Sequence, residues 1–414
     1  MMKLKNSLAV ALFFLVAASA SARKTEIRFW HILGYHVKPL IEEMVDEYNR
    51  AHPDVSVKSD FQGYFEDAQV KMLAAAVTGQ LPEVAQVPVE FLQQYIENGL
   101  IAPIDGDIPD ELRNDVPDKL WQLAAREGRI YGVPFCTLTD VFVYNKNAFV
   151  KAGLDPEKPP ATWEELIADG VVLSRDEDRD GEPDSYAVAF YLNGVYGLLP
   201  LLWANGGSLF TDGGSVNLTS GAMVKTISMV HDLIFRYRIM PRKWTDWENA
   251  QAFLTGKIAM GWFSSAGISY GEQNLPWKMG VSQIPSLNGK RFPVLSGTVL
   301  VNFSRNRKAK AAAEDFIFWL LQKENDVLLF EKIGFLPARR STADSLEVRA
   351  FVQRNPSYRV PIEALEYARP LPVHPEFFKV NQEIRDMLQR IILQGADPMG
   401  ELVETEKKIN AMLE

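Results

Sequence analysis

Cysteine is almost missing from this 414-residue chain: Cys136 stands alone, so no internal disulfide can form. Stability must come from a hydrophobic core, and the length is enough for two domains or lobes. A single thiol cannot build a thiolate zinc site. The five histidines are scattered and no His-Glu-x-x-His occurs, which leaves zinc chemistry without ligands. No Gly-x4-Gly-Lys-Ser/Thr phosphate loop is present, which excludes an ATPase of that type. Past the N-terminal segment, no stretch approaches the roughly 20 uninterrupted apolar residues of a membrane span. Basic residues are outnumbered, 44 Lys and Arg against 53 Asp and Glu, for a formal net charge of -9. That balance argues against nucleic acid and anionic membranes as partners. Low-complexity tracts and solenoid repeats are also lacking.

What is there begins with a targeting segment. Met1–Lys5 is basic, Leu8–Ala18 is a short apolar run, and Ala20-Ser21-Ala22 is a small-x-small cleavage signal. Residues 1–22 read as a cleavable secretory signal peptide, which predicts a periplasmic protein. No cysteine follows the apolar run, so a lipid anchor is not expected. Loss of Lys3 and Lys5 takes the charge to about -11. A monomer is the expected state.

The remaining pattern alternates strand and helix. Glu26–Trp30 reads as a strand, and Val37, Leu40, Ile41, Met44, Val45 and Tyr48 follow helical spacing. Asp54–Lys58 alternates like a second strand. Glu66–Val77 reads as a helix stopped by Gly79, Glu83–Val89 as a third strand, and Phe91–Glu97 as a further helix. Thr162-Trp-Glu-Glu165 and Thr245-Asp-Trp-Glu248 are capping boxes that start helices. Ile258–Phe263 and Val294–Phe303 read as strands, Ala309–Gln322 and Asn325–Lys332 as helices, and the tail from Glu376 as helix interrupted at Gly395–Pro398. The β-α-β-α-β order predicts an α/β fold with a largely parallel sheet flanked by helices. Ligands in such sheets bind beyond the carboxyl ends of the strands. Trp30 and His31, Tyr64 and Phe65, Gln86 to Glu90, and Trp262 to Ser265 all fall at such ends.

Three motifs carry possible chemistry. Asp176, Asp178, Asp180 and Asp184 occupy loop positions one, three, five and nine, with Gly181 at six, as in the first part of an EF-hand loop. Position twelve is Ala187, so the bidentate glutamate is missing; a Ca²⁺ ion or a solvated acidic turn are both readings of the segment. Gly267-Ile-Ser269-Tyr-Gly271 fits a nucleophile elbow, and a secreted serine hydrolase would use Ser269 with His374 as base and Asp326. No His-Gly-Gly stretch supplies an oxyanion hole, and prolines surround His374. A glycosidase would need paired carboxylates, for which Glu66 and Glu90 are conceivable.

Taken in order, a set of segments resembles a known family. Phe29-Trp-His31 with Tyr48-Asn-Arg-Ala-His-Pro53, Thr78-Gly79 with Pro82-Glu-Val84, Tyr144-Asn-Lys146, Ala152–Pro156, Pro160–Leu166, Trp203–Gly207, Ala252–Lys257 with Ala259-Met260, and Gly334-Phe-Leu-Pro337 follow the pattern of family 1 extracellular solute-binding proteins of ABC importers. The resemblance spans nearly the whole chain after residue 22. It implies a maltose-binding-protein-like fold: two α/β lobes, each a mostly parallel sheet flanked by helices, with the ligand cleft between them. It also implies a non-enzymatic receptor that closes on its solute and delivers it to the permease subunits of an ABC transporter. The first lobe is expected to hold residues 23–138 with 297–350, and the second 139–296 with 351–414.

A sugar site needs flat aromatic faces for the ring and amide or carboxylate groups for the hydroxyl rim. Nine tryptophans are available, among them Trp30, Trp203, Trp244, Trp247 and Trp262. By resemblance, Trp30, Tyr64, Phe65, Trp203 and Trp262 would be walls or stacking groups, and Gln86 and Glu90 would bond hydroxyls. Ser264 or Ser265, and Gly297 with Thr298, lie in family binding loops, and Arg369 would reach in from the second lobe. His31 reads rather as a structural residue. The N-terminal part resembles the glycerol-3-phosphate branch through Trp30-His31 and Gly63–Glu66, but that branch has tyrosines where Phe65 and Phe335 stand. Its paired aromatics before the Asn-Gly segment appear here as aliphatics around Leu192–Val195. Ala368-Arg-Pro…His374-Pro resembles sugar-binding branches, and no cluster of positive charge awaits a phosphate. A carbohydrate ligand, a neutral sugar or oligosaccharide, is therefore expected, with glycerol-3-phosphate or its diester as the alternative. No cofactor is expected beyond a structural Ca²⁺.

Overall fold

The computed structural model describes residues 24–34, 37–190, 192, 194–242 and 246–414, without the side chains of residues 65, 66, 246 and 247. Residues 1–22, read above as a signal peptide, Thr245 and Trp244 lie outside the described residues, as do the side chains of Phe65, Glu66 and Trp247.

Strands β1 (Thr25–His31), β2 (Val55–Phe61) and β3 (Val84–Pro88) are linked by helices α1 (Lys38–Ala51) and α2 (Phe65–Thr78). β1 pairs in parallel with both β2 and β3. The sequence periodicity explains the packing: Ile41, Met44, Val45 and Tyr48 make one buried stripe on α1. α2 ends where Gly79 adopts φ 67°, the left-handed turn that lets its N–H reach back to Ala75 and Ala76.

A short ribbon, β4 (Ala125–Arg126) and β5 (Arg129–Ile130), precedes the long strand β6 (Val133–Asn145). β7 (Tyr186–Ala189), β8 (Ile258–Ser264), β9 (Met279–Ser282), β10 (Val294–Asn302) and β11 (Arg369–Pro370) follow. The sheet runs β2-β1-β3-β10-β6-β8-β7. Its flanks are parallel, β1 with β2 and β3 on one side and β7 with β8 on the other. Its middle is antiparallel, because β6 and β10 cross between the lobes. The first half of β6 pairs with β10 at Val133 to Thr139, and its second half pairs with β8 and β9 at Asp140 to Asn145. The register shifts between Ser296 and Thr298. Gly297 sits in that shift with φ 138°, and a Cβ there would lie 2.6 Å from the Cys136 carbonyl oxygen.

The capping box at Thr162 and Glu165 forms as read, with both reciprocal bonds made, and starts the helix Trp163–Leu173. One packing feature was not legible. Phe330, Val348 and Val352 share a core with Val141, Phe253 and Ile258. Leu329, Ile333 and Phe335 of the same stretch belong instead to the core that holds Ile27, Phe29 and Val84, so this part of the chain packs on both sides. The tail is the helix Phe377–Gln389, a π-turn at Arg390–Gln394, a reversal at Gly395 and the helix Pro398–Leu413. No helix among the described residues is long and apolar enough to cross a membrane.

Candidate functional site

A cavity of about 920 Å³ opens between the lobes, near the upper end of the roughly 300–1,000 Å³ usual for small-molecule sites. β1 ends at its edge, handing over to Ile32, Leu33 and Gly34. β3 ends in the 3-10 turn Val89–Phe91, which carries Glu90 into the wall. β8 contributes Trp262, Phe263 and Ser264, and the crossing strand β10 contributes Ser296, Gly297 and Thr298.

The floor is a relay of hydrogen bonds. The Ile32 N–H donates to Gln86 Oε1 at 3.1 Å, Gln86 Nε2 donates to Thr298 Oγ1 at 2.9 Å, and the Thr298 hydroxyl donates to the Phe135 carbonyl at 2.6 Å. Each step fixes the next. A backbone N–H can only donate, so Oε1 must face Ile32 and the amide nitrogen must face Thr298. Four consecutive strands of the sheet are locked at the cleft by this chain, and Gln86 and Thr298 are both buried. The sequence reading gave Gln86 to a solute hydroxyl; its carbonyl oxygen is already committed to the protein.

Aromatic rings make most of the wall. Trp262 stacks on Phe190 with ring centroids 3.6 Å apart and an interplanar angle of 10°, and Trp163 backs the pair at 6.2 Å. Trp262 is 4% exposed, lines the cavity, and its indole Nε1 has no hydrogen-bond partner. A buried N–H of this kind favours a ligand acceptor. Tyr64, at the start of α2, lines the mouth edge-on to Phe61. Phe91 from the first lobe meets Phe378 from the tail helix across the cleft, centroids 5.8 Å apart.

Glu90, Asp140, Asp67 and Arg385 carry the cavity's charges. The Tyr196 hydroxyl, from the second lobe, donates to Glu90 Oε1 at 3.1 Å. Burial pushes the Glu90 carboxyl up to about 7, against this bond and a backbone bond that lower it. Asp140 accepts the Val294 N–H at 3.1 Å, yet burial raises it to about 7 as well. At neutral pH each carboxyl is poised to accept or to donate a hydrogen bond.

Of the residues singled out by sequence, Tyr64, Gln86, Glu90, Trp262, Ser264, Gly297 and Thr298 line this one cavity. Phe65 opens α2, but its side chain lies outside the described residues. Trp30, Trp203, Ser265 and Arg369 are not among the lining residues. Trp30 is half-buried on β1, on the opposite parity from Phe29 and His31, which face the core. Trp203 is buried within the helix Leu199–Ala204. The Ser265 side chain is spent on the Thr139 N–H, 3.3 Å away. Arg369 is exposed on β11, its guanidinium 3.7 Å over the Phe292 ring and 5.9 Å from that of Trp203. His31 packs between Phe29 and Phe61, and burial lowers it to about 4, so it is neutral.

Asp140, Tyr196, Asn381 and Arg385 line the cavity without having been singled out. For the tail helix a signal existed. Asn381 and Arg385 stand four apart beside the apolar stripe Phe377, Val380, Ile384 and Leu388, and the same helix face delivers both to the cleft. Asp140 gave none, since its burial follows from the crossing of β6.

The acidic loop brings carboxylate oxygens of Asp176, Asp178 and Asp184 within 4.8 Å of one another, all exposed, while Asp180 is not in that group. These side chains also close the loop on itself: Asp184 accepts the Glu177 N–H, Asp176 the Gly181 N–H, and Asp180 the Glu182 N–H. The hydrolase constellation is not assembled. Ser269 lies in the helix Gly267–Asn274 and accepts from Gln273, whereas His374 stacks on Phe210 and its Nδ1 accepts the Glu376 N–H. Asp326 accepts the N–H groups of Ala338 and Arg339.

Residues 43–359 match the sequence profile of a family described as bacterial extracellular solute-binding protein. Over 383 residues the chain is 26% identical to the sn-glycerol-3-phosphate-binding periplasmic protein UgpB of Yersinia pestis bv. Antiqua (strain Antiqua), covering 89% of this chain and 86% of that one. Among solved structures, UgpB from Mycobacterium tuberculosis in complex with glycerophosphocholine matches with a TM-score of 0.83 at 22% identity, covering 94% and 98% of the two chains. The cyclic alpha-maltosyl-1,6-maltose binding protein from Arthrobacter globiformis matches at 0.81 and 24%, covering 94% and 99%. At such identities the likeness to solved structures concerns the fold, which is the two-lobed α/β architecture of periplasmic binding proteins.

Proposed function

The chain belongs to the bacterial extracellular solute-binding protein family, and on that premise we propose that it is the periplasmic substrate-binding component of an ABC importer for a neutral sugar or short oligosaccharide. The solute enters the open cleft, the lobes close over it, and the closed form presents it unchanged to the permease. Closure is a two-state motion that the solute must favour by binding the closed form more tightly.

The observation that carries this reading is the composition of the cavity wall. Flat rings of Trp262, Tyr64, Phe91 and Phe378 flank hydrogen-bonding groups of Glu90, Asp140, Ser264 and Asn381. Aromatic faces suit the apolar faces of a pyranose, and carboxylates suit paired hydroxyls. Carboxylates outnumber the guanidinium of Arg385, which disfavours a dianionic phosphate by like-charge repulsion.

A second reading rests on Arg385. A guanidinium on the wall suits a phosphodiester, which carries a single negative charge. The names of the Yersinia relative and of the Mycobacterium complex lend it support. Thermal-shift titration separates the two. Maltose, maltotriose and other neutral saccharides should raise the melting temperature by a few degrees at saturation, since a solute at about 100 times its Kd adds about 2.7 kcal/mol. Shifts only with glycerophosphocholine or sn-glycerol-3-phosphate would favour the second reading.

A further inference from the structure

The hydrogen bond from Tyr196 to Glu90 is braced at both ends by the tail helix Phe377–Gln389. On the Tyr196 side, the Val195 N–H donates to Asn381 Oδ1 at 2.8 Å. The Val195 carbonyl accepts the N–H groups of Leu198 and Leu199 at 2.9 and 3.0 Å. Both main-chain groups of Val195 are thus engaged, and the residue is fully buried. Its peptide leads directly into Tyr196, so the tether fixes where that side chain begins. Gly194 adopts φ 81°, and a Cβ there would collide with Asn381 Oδ1 and lie 2.7 Å from the Asn381 main-chain oxygen. Glycine is what lets the segment come this close to the helix. Phe377, a helical turn before Asn381, meets the Tyr196 ring edge-on with centroids 5.9 Å apart. On the Glu90 side, Phe378 packs on Phe91, the next residue of the 3-10 turn, at 5.8 Å.

We propose that Asn381 is a positioning residue for the solute site: by tethering the Val195 main chain it aims the Tyr196 hydroxyl at the Glu90 carboxylate, and so sets how that carboxylate meets a solute hydroxyl. The inference rests on the proposed function for the role of Glu90, whereas its test uses the unliganded protein. A tyrosine ring turns about only two side-chain bonds, so its hydroxyl follows the main chain closely. A hydrogen bond donated to a carboxylate favours the charged form. Glu90 therefore reports whether the hydroxyl is in place: burial pushes its carboxyl up to about 7, and the Tyr196 bond draws it down. The charged groups that line the same cavity, Asp67, Asp140 and Arg385, and Arg126, which lines a small adjoining cavity with Glu90, are left unchanged by the substitutions below.

The full chain is labelled with glutamate carrying ¹³C at the side-chain carboxyl, and the Glu90 signal is assigned by its loss in Glu90→Gln. Tyr196→Phe should raise the Glu90 midpoint by about half a pH unit or more, the advantage of one hydrogen bond to a charged group over a neutral one. Asn381→Ala should raise it as well. The double variant should shift no further than Tyr196→Phe alone, because Asn381 acts through the hydroxyl that is already gone. Gly194→Ala pushes the segment off the helix from the other side; it should reproduce the shift, and it stands in if Asn381→Ala does not fold. A midpoint unmoved in Tyr196→Phe, or unmoved in folded Asn381→Ala or its stand-in, overturns the proposal. So does a double variant whose shift is the sum of the single ones, since Asn381 would then reach Glu90 by another route. Because no solute is present, such a failure leaves the identity of the solute untouched.

Discussion

The Tyr196 hydroxyl reaches Glu90 Oε1 at 3.1 Å, and the two residues stand on opposite sides of the cleft. A single bond thus joins the turn after β3 to the segment before the helix Leu199–Ala204. It engages one of the two buried carboxyls that line the cavity.

That carboxyl predicts an acid-stabilised fold. Glu90 and Asp140 both titrate at about 7, above the ordinary 4.5 and 3.8. Between the unfolded and folded values the native state binds more protons than the unfolded chain. The stability they contribute is therefore full below pH about 4 and is lost as pH rises through about 7, on the order of 3 kcal/mol for Glu90 and 4 kcal/mol for Asp140. Buried Asp326, raised to about 6, adds a further share in the same direction. The melting temperature should fall from pH 5 to pH 8, and Glu90→Gln and Asp140→Asn should each flatten that fall. An unchanged slope in both variants would contradict the assignment.

Gln86→Leu should destabilise the protein by about 1–3 kcal/mol in urea unfolding, because it strands the Ile32 N–H and removes the donor to Thr298 in a buried relay. Gln86→Glu tests the direction of the relay. It retains an acceptor for Ile32 but places a carboxyl oxygen on the Thr298 hydroxyl, which already donates to Phe135. It should lose stability at neutral pH and regain most of it in acid, where the protonated carboxyl donates.

Gly297→Ala meets two obstacles at once: φ 138°, which L side chains rarely adopt, and a Cβ that would sit 2.6 Å from the Cys136 carbonyl and 2.9 Å from the Thr137 Cα. The crossing strands must part to accept it. A loss of about 2 kcal/mol or more is expected in equilibrium unfolding. Solute affinity should fall as well, since Gly297 lines the cavity. Full stability and affinity would show that β6 and β10 have slack here.

Trp262→Phe keeps a ring against Phe190 but removes the unpartnered indole N–H. It should weaken solute binding by roughly 2- to 12-fold, the range of one hydrogen bond, with a small change in melting temperature. Trp262→Ala should cost about 3–5 kcal/mol of stability as well as binding, because it opens a cavity beside Phe190 and Trp163.

Much of the fold was legible because its signals are local. The apolar stripe on α1, the Gly79 stop and the Thr162 capping box each declare an element within a few residues. The parallel β2-β1-β3 order follows from alternating strand and helix. The cleft was legible where a strand end delivers a residue directly, as for Glu90, Trp262 and Ser264. It was not legible where long-range packing decides. Trp203 and Arg369 carry the chemistry of a sugar site but are taken up by core packing and by the Phe292 ring. Asp140 and Tyr196 reach the cavity only because β6 crosses between the lobes and the chain returns beside it. Arg385 arrives from the far end of the sequence, on a helix whose polar face gave the only local hint.

Native mass spectrometry of the protein mixed with neutral saccharides and glycerophosphodiesters tests the central claim most directly. We expect a one-to-one complex whose added mass equals an intact neutral sugar or oligosaccharide, released unaltered on denaturation and lost in Trp262→Ala. A bound mass belonging only to a phosphodiester, a shortened product in place of the offered saccharide, or binding that survives in full in Trp262→Ala would contradict it.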